Sequence, residues 1–225
     1  TFNGNESYNE WESTFEEVHR NGIIAYAIYN YIRYTGDENY LAEYGLRVLI
    51  AISRFWSQRV SVSTEKKKYV ILGVTGPNIY ENNVNNNWFT NYMAVWCLKF
   101  TIESIEKVKK SNFHAFEDLS QEIKFSGDEI FRWKDIIQNI YLPVNKELGI
   151  FMQQDGFLNK TIMPAAEIPD TQRPIIQHWS WDRILRSCFL KQADVVLGLY
   201  FFEDHFDKGT IKRNFDFYEP LTVHE

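Results

Sequence analysis

The chain has 225 residues and a formal net charge of -6, from 24 Lys and Arg against 30 Asp and Glu. This length suffices for one globular domain, and a weakly acidic chain without a basic cluster argues against nucleic acids and anionic membranes as partners. Two cysteines cannot form a disulfide framework, and no apolar run approaches the ~20 residues of a membrane-spanning helix, so we expect a reducing, cytoplasmic location.

Helical periodicity dominates the sequence in chain order. Apolar residues recur at three- and four-residue steps over 15–27, 41–56, 89–100, 128–142 and 181–202, which predicts five helices. The first is expected to continue to Gly36 and Asp37, and the third to end in the basic stretch of Lys107, Lys109 and Lys110. Between them, 68–74 is typical of a short extended segment, 111–127 of a polar connector, and 150–163 of irregular structure. No linker or repeat divides the chain, so we predict one domain over 1–225, with helices packed on helices as a bundle or toroid.

The most unusual segment is the loop over 76–88, in which six of the ten residues from 78 to 87 are Asn. Asn favours turns and helix caps, and Asn87 is well placed to cap the helix that follows. One interpretation is therefore a long capped turn. The other is a rim of uncharged donors and acceptors for sugar hydroxyls, which would suit a chain with 16% aromatic residues, although aromatic side chains more often fill cores.

Two further segments carry polar groups at notable positions. Lys191 and Gln192 interrupt an apolar stretch, so the lysine either reaches out to solvent or points into a polar cavity. The acidic stretch from Glu6 to Glu12, continued by Glu16 and Glu17, is most simply explained as negative charge at a helix N-terminus. The five histidines show no metal-ligand spacing, and no glycine-rich phosphate loop or nucleophile elbow occurs, so we expect no metal or cofactor.

These segments resemble glycoside hydrolase family 65, and within it the maltose phosphorylases. The likeness is carried by Gly-Pro-Asn-x-Tyr-Glu-Asn-Asn-Val-Asn-Asn-Asn-Trp at 76–88, Glu-Trp-Glu at 10–12, Trp-Ser-Trp-Asp-Arg at 179–183, Lys-Gln-Ala-Asp-Val at 191–195 and Tyr-Glu-Pro-Leu-Thr-Val-His at 218–224. The motifs occur in the family's order along the whole chain. The resemblance implies an all-α fold, a portion of a six-fold α/α barrel, that is, an α/α toroid with short β-like segments in its loops.

The resemblance also implies a piece of a longer protein, with a β-sandwich domain and the first barrel helices before it and part of the phosphate site after it. Thr1 is not an initiator Met, and the residues up to Glu225 carry no terminating feature, which agrees with this expectation.

The activity implied by the resemblance is inverting phosphorolysis of an α-glucosidic disaccharide such as maltose, giving β-glucose 1-phosphate and glucose, with inorganic phosphate as co-substrate. Matching positions imply that Lys191 and Gln192 hold the donor glucose, that Asn9 and Glu10 lie near the acceptor, and that His224 binds phosphate. No nucleic acid or membrane partner is implied, and a homodimer is left open.

Two positions depart from the family pattern. Ile79 stands where the family has its general-acid Glu, and an aliphatic side chain has no proton to donate. Glu81 is a weak substitute candidate, because it matches a different family position, so we expect the chain itself to be inactive. Tyr8 replaces a His of the maltose phosphorylases, which leaves trehalose, kojibiose or nigerose open as the disaccharide. A non-catalytic sugar-binding or structural helical remnant is the remaining alternative.

Overall fold

The computed structural model describes residues 13–225, and this part of the chain is mostly helical. Its α-helices are α1 (Ser13–Glu16), α2 (His19–Thr35), α3 (Leu46–Arg59), α4 (Trp88–Ser111), α5 (Phe113–Glu122), α6 (Gly127–Asn139), α7 (Ile175–His178), α8 (Trp181–Arg186), α9 (Asp194–Phe201) and α10 (Lys208–Tyr218). One π-helical turn, Leu41–Gly45, leads directly into α3.

The strands are short and form two antiparallel pairs. They are β1 (Ser61–Ser63) with β2 (Lys68–Val70), and β3 (Val144–Asn145) with β4 (Ile150–Phe151). In the first pair Ser61 lies opposite Val70, and in the second Val144 lies opposite Phe151. The predicted extended segment is therefore a strand only over its first three residues.

The chain forms two compact units. One contains 19–70 and 91–141, and the other contains the described residues up to Val18 together with 71–90 and 142–225. A single domain over 1–225 stays a prediction.

In the unit of 19–70 and 91–141, helices pack on helices around fully buried side chains such as Leu49, Trp56 and Trp133. Each such side chain contributes on the order of 2 kcal/mol by leaving water. The Arg54 guanidinium joins α3 to α6 through two bonds to the Glu129 carboxylate, of 2.7 and 2.8 Å. This ion pair holds the pKa of Glu129 below its usual range.

The predicted polar connector over 111–127 is wrong, because most of it is helix α5. Asn112 caps that helix by accepting a bond from the Ala115 N–H at 3.1 Å. Phe116 and Leu119, three residues apart, are its buried side chains, so α5 is amphipathic. Ser126 then begins α6 with a capping box.

The second unit, containing 71–90 and 142–225, carries the segments that the sequence singled out. Its buried side chains include Trp88, Phe157 and Tyr218, and the Trp88 ring stacks on Phe151 with centroids 4.6 Å apart. Within residues 13–225, no helix is both long and apolar enough to cross a membrane.

The continuous helix predicted over 181–202 is wrong, because it is broken between α8 and α9. Around the break the Leu190 N–H donates to the Leu221 carbonyl at 3.0 Å, and the Val223 N–H donates to the Leu190 carbonyl at 2.8 Å. The backbone N–H groups of Lys191 and Gln192 both donate to the side-chain oxygen of Asn78 and not to a helical carbonyl. Tertiary bonds thus take the place of helical ones at the amides of residues 190–192.

Candidate functional site

The loop of 76–88 begins from a fixed base. Val74 and Val84 exchange two backbone hydrogen bonds of 2.9 and 2.8 Å, which close the intervening residues into a loop. Glu16, which is buried, anchors the loop from the other side. Its carboxylate accepts bonds from the Thr75 hydroxyl at 2.8 Å and from the Asn83 N–H and side-chain amide at 2.8 and 2.9 Å.

Sequence reasoning missed this role of Glu16. Its position near the start of a predicted helix suggested a charge that complements the helix dipole. In the structure the carboxylate instead supports residues about 60 positions away in the sequence, and only the tertiary fold brings them together.

Most of the asparagines build the loop and do not face a ligand. Asn83 and Asn86 have φ angles of 51° and 54°, in the left-handed region that Asn tolerates better than most residues. Asn85 and Asn86 accept bonds from the backbone N–H groups of Gly73 and Ile71. The prediction that Asn87 caps the next helix is confirmed, because its Oδ1 accepts from the Thr90 N–H at 3.0 Å.

The capped-turn interpretation of the loop is therefore correct for five of the six asparagines. Only Asn82 makes no recorded side-chain hydrogen bond within the described part of the chain. A rim rich in free amides for sugar hydroxyls is not what this loop provides.

Asn78 and Asp194 connect the loop to the segment that contains Lys191 and Gln192. The Asn78 N–H donates to Asp194 Oδ1 at 2.7 Å. In the opposite direction, Asn78 Oδ1 accepts from the Lys191 N–H at 3.0 Å and from the Gln192 N–H at 3.5 Å. The structure thus brings the loop and the Lys191–Gln192 pair side by side, as the sequence analysis expected.

Asp194 is buried at the first residue of α9, and its second oxygen is also bonded. Asn87 Nδ2 donates to Asp194 Oδ2 at 2.7 Å. Burial raises the pKa of Asp194 to about 8, because the loss of hydration disfavours the charged carboxylate more than these two bonds favour it. From the sequence alone Asp194 has no role beyond its place in a motif, since its hydrogen-bond donors Asn78 and Asn87 lie more than 100 residues away.

Gly76 fits where the backbone passes close to this hydrogen bond. A Cβ atom at Gly76 would lie 2.6 Å from Asn87 Nδ2 and 3.0 Å from Asn87 Cγ, and it would also collide with Asp194 Oδ2. The glycine of the loop motif is therefore required by space.

Glu81 is buried, with 4% of its surface exposed, and it faces the protein interior. Lys160 forms an ion pair with its Oε1, Gln154 Nε2 donates to the same oxygen at 2.5 Å, and Asn78 Nδ2 lies 3.4 Å from Oε2. Burial raises the pKa of Glu81, and Lys160 opposes that shift. A buried carboxylate with these partners stabilises the conformation of the loop.

Ile79, in contrast, is 37% exposed. Its backbone is held on both sides, because the Asn78 N–H is bonded to Asp194 and the Tyr80 N–H lies 3.4 Å from Asn78 Oδ1. The side chain at position 79 is therefore presented outward from a fixed backbone.

Lys191 is half-buried and Gln192 is exposed. Their backbone amides are bonded to Asn78, while neither the Lys191 ammonium nor the Gln192 side-chain amide has a recorded partner among residues 13–225. Both polar ends can therefore bind a ligand.

His224 lies close to Gln192. Both line a cavity of about 410 Å³, together with Tyr200, Phe215 and Glu219. The backbone pairing of 221–223 with Leu190 brings the C-terminal segment to this place. His224 Nε2 lies 3.4 Å from Glu219 Oε1, and its side chain is largely exposed. The structure thus gathers Lys191, Gln192 and His224 in one region.

Three other predicted features can be placed or set aside. Asn9 and Glu10, and also Tyr8, lie outside the described residues. In the motif at 179–183, Asp182 forms an exposed ion pair with Arg186, at 2.7 Å. Both cysteines are buried free thiols.

Comparisons with known proteins agree with this geometry. The model of the glycosyl hydrolase family 65 central catalytic domain matches residues 1–225, the whole chain. The chain belongs to glycosyl hydrolase family 65.

The sequence relatives are phosphorylases of this family. The chain is 54% identical over 225 residues to maltose phosphorylase of Bacillus subtilis (strain 168), covering all of this chain and 29% of that protein. It is 36% identical over 210 residues to α,α-trehalose phosphorylase of Thermoanaerobacter brockii, covering 93% of this chain and 27% of that protein. The chain therefore spans less than a third of these family 65 relatives.

Among solved structures, a protein from the human microbiome provisionally named a kojibiose phosphorylase matches with a TM-score of 0.79 and 30% identity. The match covers 89% of this chain and 27% of that one. Together with the helical structure, this family 65 neighbour confirms the predicted fold class, a portion of an α/α toroid. The predicted maltose-phosphorylase-like domain is likewise confirmed at the level of the family.

Proposed function

We propose that this chain carries the sugar- and phosphate-binding side of a family 65 phosphorylase site whose acid has been lost. In this proposal Lys191 and Gln192 bind the donor glucose of an α-glucosidic disaccharide, and His224 binds inorganic phosphate. Asn9 and Glu10 contact the acceptor sugar.

The observation that carries the proposal is the pair of bonds from the Lys191 and Gln192 amides to Asn78 Oδ1. Position 79 follows Asn78 directly, so an acid there would lie beside the residues proposed to hold the donor ring. Gln192 and His224 line the same cavity, and this proximity supports phosphate binding by His224 next to the same ring. The relatives' printed activities, on maltose and trehalose, support a disaccharide substrate.

The reaction that this arrangement suits is inverting phosphorolysis. A phosphate oxygen attacks the anomeric carbon while the bond from that carbon to the leaving oxygen breaks, and an acid gives its proton to that oxygen. Phosphate is already an anion, so no second carboxylate is needed to activate a water molecule. The acid commonly accounts for about 10²- to 10⁴-fold in rate, and Ile79 has no proton to give.

Glu81 does not replace the acid in this proposal. Its oxygens are occupied by Lys160, Gln154 and Asn78, and its carboxylate is buried below the loop. The chain as it stands is then a sugar-binding domain with no meaningful phosphorolysis.

The decisive test uses two chimeras of Bacillus subtilis maltose phosphorylase, in which this chain replaces the matching 225 residues. The chimeras differ only at position 79, which is Ile in one and Glu in the other. We expect the Ile79→Glu chimera to release β-glucose 1-phosphate from maltose and phosphate at least about 100-fold faster. Equal, low rates in two folded chimeras would show that the acid does not belong at position 79.

Calorimetric titration of the chain with glucose, maltose and phosphate separates the remaining alternatives. Binding without turnover is the expected result. The absence of any binding would instead favour a structural remnant, and a disaccharide panel with the Ile79→Glu chimera would decide between maltose, trehalose, kojibiose and nigerose. A homodimer and a cytoplasmic location stay predictions.

A further inference from the structure

We propose that Asp194 is a positioning residue, which acts through Asn78 to hold position 79 and the Lys191–Gln192 segment in one fixed arrangement. This inference rests on the proposed function for its effect on sugar binding, but the arrangement itself can be tested without a sugar.

The argument begins with the two ends of Asn78. Its backbone N–H donates to Asp194 Oδ1 at 2.7 Å, and its side-chain Oδ1 accepts from the Lys191 N–H at 3.0 Å. Lys191 and Asp194 are only three residues apart, so one short stretch of chain holds Asn78 through both its backbone and its side chain. We name these reciprocal bonds between Asn78 and 191–194 the Asn78 clamp.

The Asn78 clamp is buried and fully bonded. Asn78 and Asp194 are both 1% exposed, and the second Asp194 oxygen accepts from Asn87 at 2.7 Å. Asn87 is also the cap of α4, because its Oδ1 accepts from the Thr90 N–H and hydroxyl at 3.0 and 2.9 Å. Both oxygens of the carboxylate therefore fix the loop, one near its start and one at its end.

The Asn78 clamp fixes backbone groups and leaves the side chains proposed to bind sugar unoccupied. It binds only the backbone amides of Lys191 and Gln192, whereas their side-chain ends have no recorded partner in the described part of the chain. The side chain at position 79 projects from the residue next to Asn78. A shift of Asn78 would move all three side chains relative to one another, and catalytic or binding groups lose effect with displacements of about 1 Å.

The other contacts that hold the loop do not connect it to the 191–194 segment. Glu16 holds the loop at Thr75 and Asn83, and Lys160 supports it at Glu81, but neither bonds to the 191–194 segment. Among the recorded contacts, only the Asn78 clamp joins the loop to the proposed donor-sugar residues.

The first test is hydrogen exchange on the 225-residue chain without ligand, comparing Asp194→Asn with the unaltered chain. The side-chain amide introduced by Asp194→Asn would offer one acceptor oxygen where the carboxyl group serves two donors, the Asn78 N–H and Asn87 Nδ2. We therefore expect faster exchange at the Asn78 amide, and also at the Lys191 and Gln192 amides, which bond to Asn78 and not to Asp194. The matched control is Asp216→Asn, since Asp216 is an exposed residue of the same unit and is paired with Lys212. Unchanged exchange at Lys191 and Gln192 would overturn the proposal.

The second test is calorimetric titration with glucose. Asp194→Asn should weaken glucose binding about tenfold, as expected when one hydrogen bond that holds the binding groups in place is lost. If Asp194 acts by positioning Lys191 together with Gln192, Asp194→Asn should weaken glucose binding less in a Lys191→Ala chain than in the unaltered chain, whereas a general loss of stability would give additive effects. Additive losses would refute the positioning role.

The two tests distinguish the failure of each proposal. If the unaltered chain binds no glucose, the proposed function fails and the exchange experiment still judges the clamp. If glucose binds and Asp194→Asn leaves its affinity unchanged, the positioning proposal fails while the proposed function stands. If Asp194→Asn does not fold, Asn78→Ala is tested in its place, because it removes the side-chain oxygen that accepts from the Lys191 and Gln192 amides. This variant should accelerate hydrogen exchange at both amides and weaken glucose binding.

Discussion

The close approach of Gly76 to Asn87 and Asp194 makes a quantitative prediction. In Gly76→Ala the new methyl group would lie 2.6 Å from Asn87 Nδ2, where ordinary van der Waals contact begins at about 3.4 Å. Neither Asn87 nor Asp194 can move aside freely, because both are buried and bonded to each other at 2.7 Å. The substitution should therefore separate this pair.

The magnitude follows from the bond that is lost. Leaving the buried side chains of Asn87 and Asp194 without their shared hydrogen bond costs about 1–3 kcal/mol, and overpacking adds roughly 1 kcal/mol more. Replacing glycine by alanine returns about 0.4–1 kcal/mol through the entropy of the unfolded chain. We expect Gly76→Ala to lower the free energy of unfolding by about 2–3 kcal/mol.

Gly127→Ala is the matched control for this change. Nothing lies within 4 Å of a Cβ atom at Gly127, which is the first residue of α6. Alanine should be neutral there or stabilise the helix by up to about 1 kcal/mol. Both variants are compared with the unaltered chain by urea unfolding, followed by far-ultraviolet circular dichroism. A Gly76→Ala chain as stable as the Gly127→Ala chain would refute the reasoning.

Three further predictions concern titration and anchoring. Burial raises the pKa of Asp194 to about 8, so the folded chain keeps a proton that the unfolded chain releases above about pH 4. The free energy of unfolding should therefore fall between pH 4 and pH 8, by up to about 1.4 kcal/mol per pH unit. Urea unfolding of Asp194→Asn, which cannot titrate, should show a flatter pH profile, and parallel profiles would contradict this. Lys160→Met should lower the free energy of unfolding by about 3 kcal/mol at pH 8, because the buried Glu81 carboxylate loses its cationic partner. Its control, Lys212→Met, removes an exposed pair and should change the free energy of unfolding by less than about 1 kcal/mol. Asn83→Ala should lower the free energy of unfolding by about 2 kcal/mol, because it removes the side-chain bond to Glu16 and leaves alanine at a φ of 51°. Equal thermal stability of Asn83→Ala and Asn82→Ala would argue against that anchor.

The helices with strong apolar periodicity could be predicted from the sequence, and so could the start of α4. Asn87 caps α4 through bonds to Thr90, three residues on, and such local signals survive in any tertiary context. Helix α5 was missed because its two buried residues, Phe116 and Leu119, are embedded in a polar stretch. Local amphipathicity over ten residues is a weak signal when the surrounding composition is polar.

The break at 187–193 and the role of Asp194 could not be predicted, for a different reason. The bonds of the Lys191 amide and of the Asp194 carboxylate reach Asn78, more than 110 residues away. Periodicity records which face of a segment is apolar, and it carries no information about a distant acceptor that competes with the helix for backbone amides. The family motifs include the segments of Asn78 and of 191–195, but only the tertiary structure shows that one asparagine joins them.

If, as proposed, the acid has been lost at position 79, the structure of the loop explains why the neighbouring residues keep their arrangement. Ile79 is 37% exposed, and its backbone is fixed by the bonds of its neighbours Asn78 and Tyr80. The groups that determine the loop's conformation are thus separate from the one group that would supply the proton. A substitution at 79 removes chemistry at little cost in folding, whereas a substitution at Asp194 removes the arrangement on which sugar binding and chemistry would both depend. If Ile79→Glu in the chain changed the free energy of unfolding by more than about 1 kcal/mol, this separation would not hold.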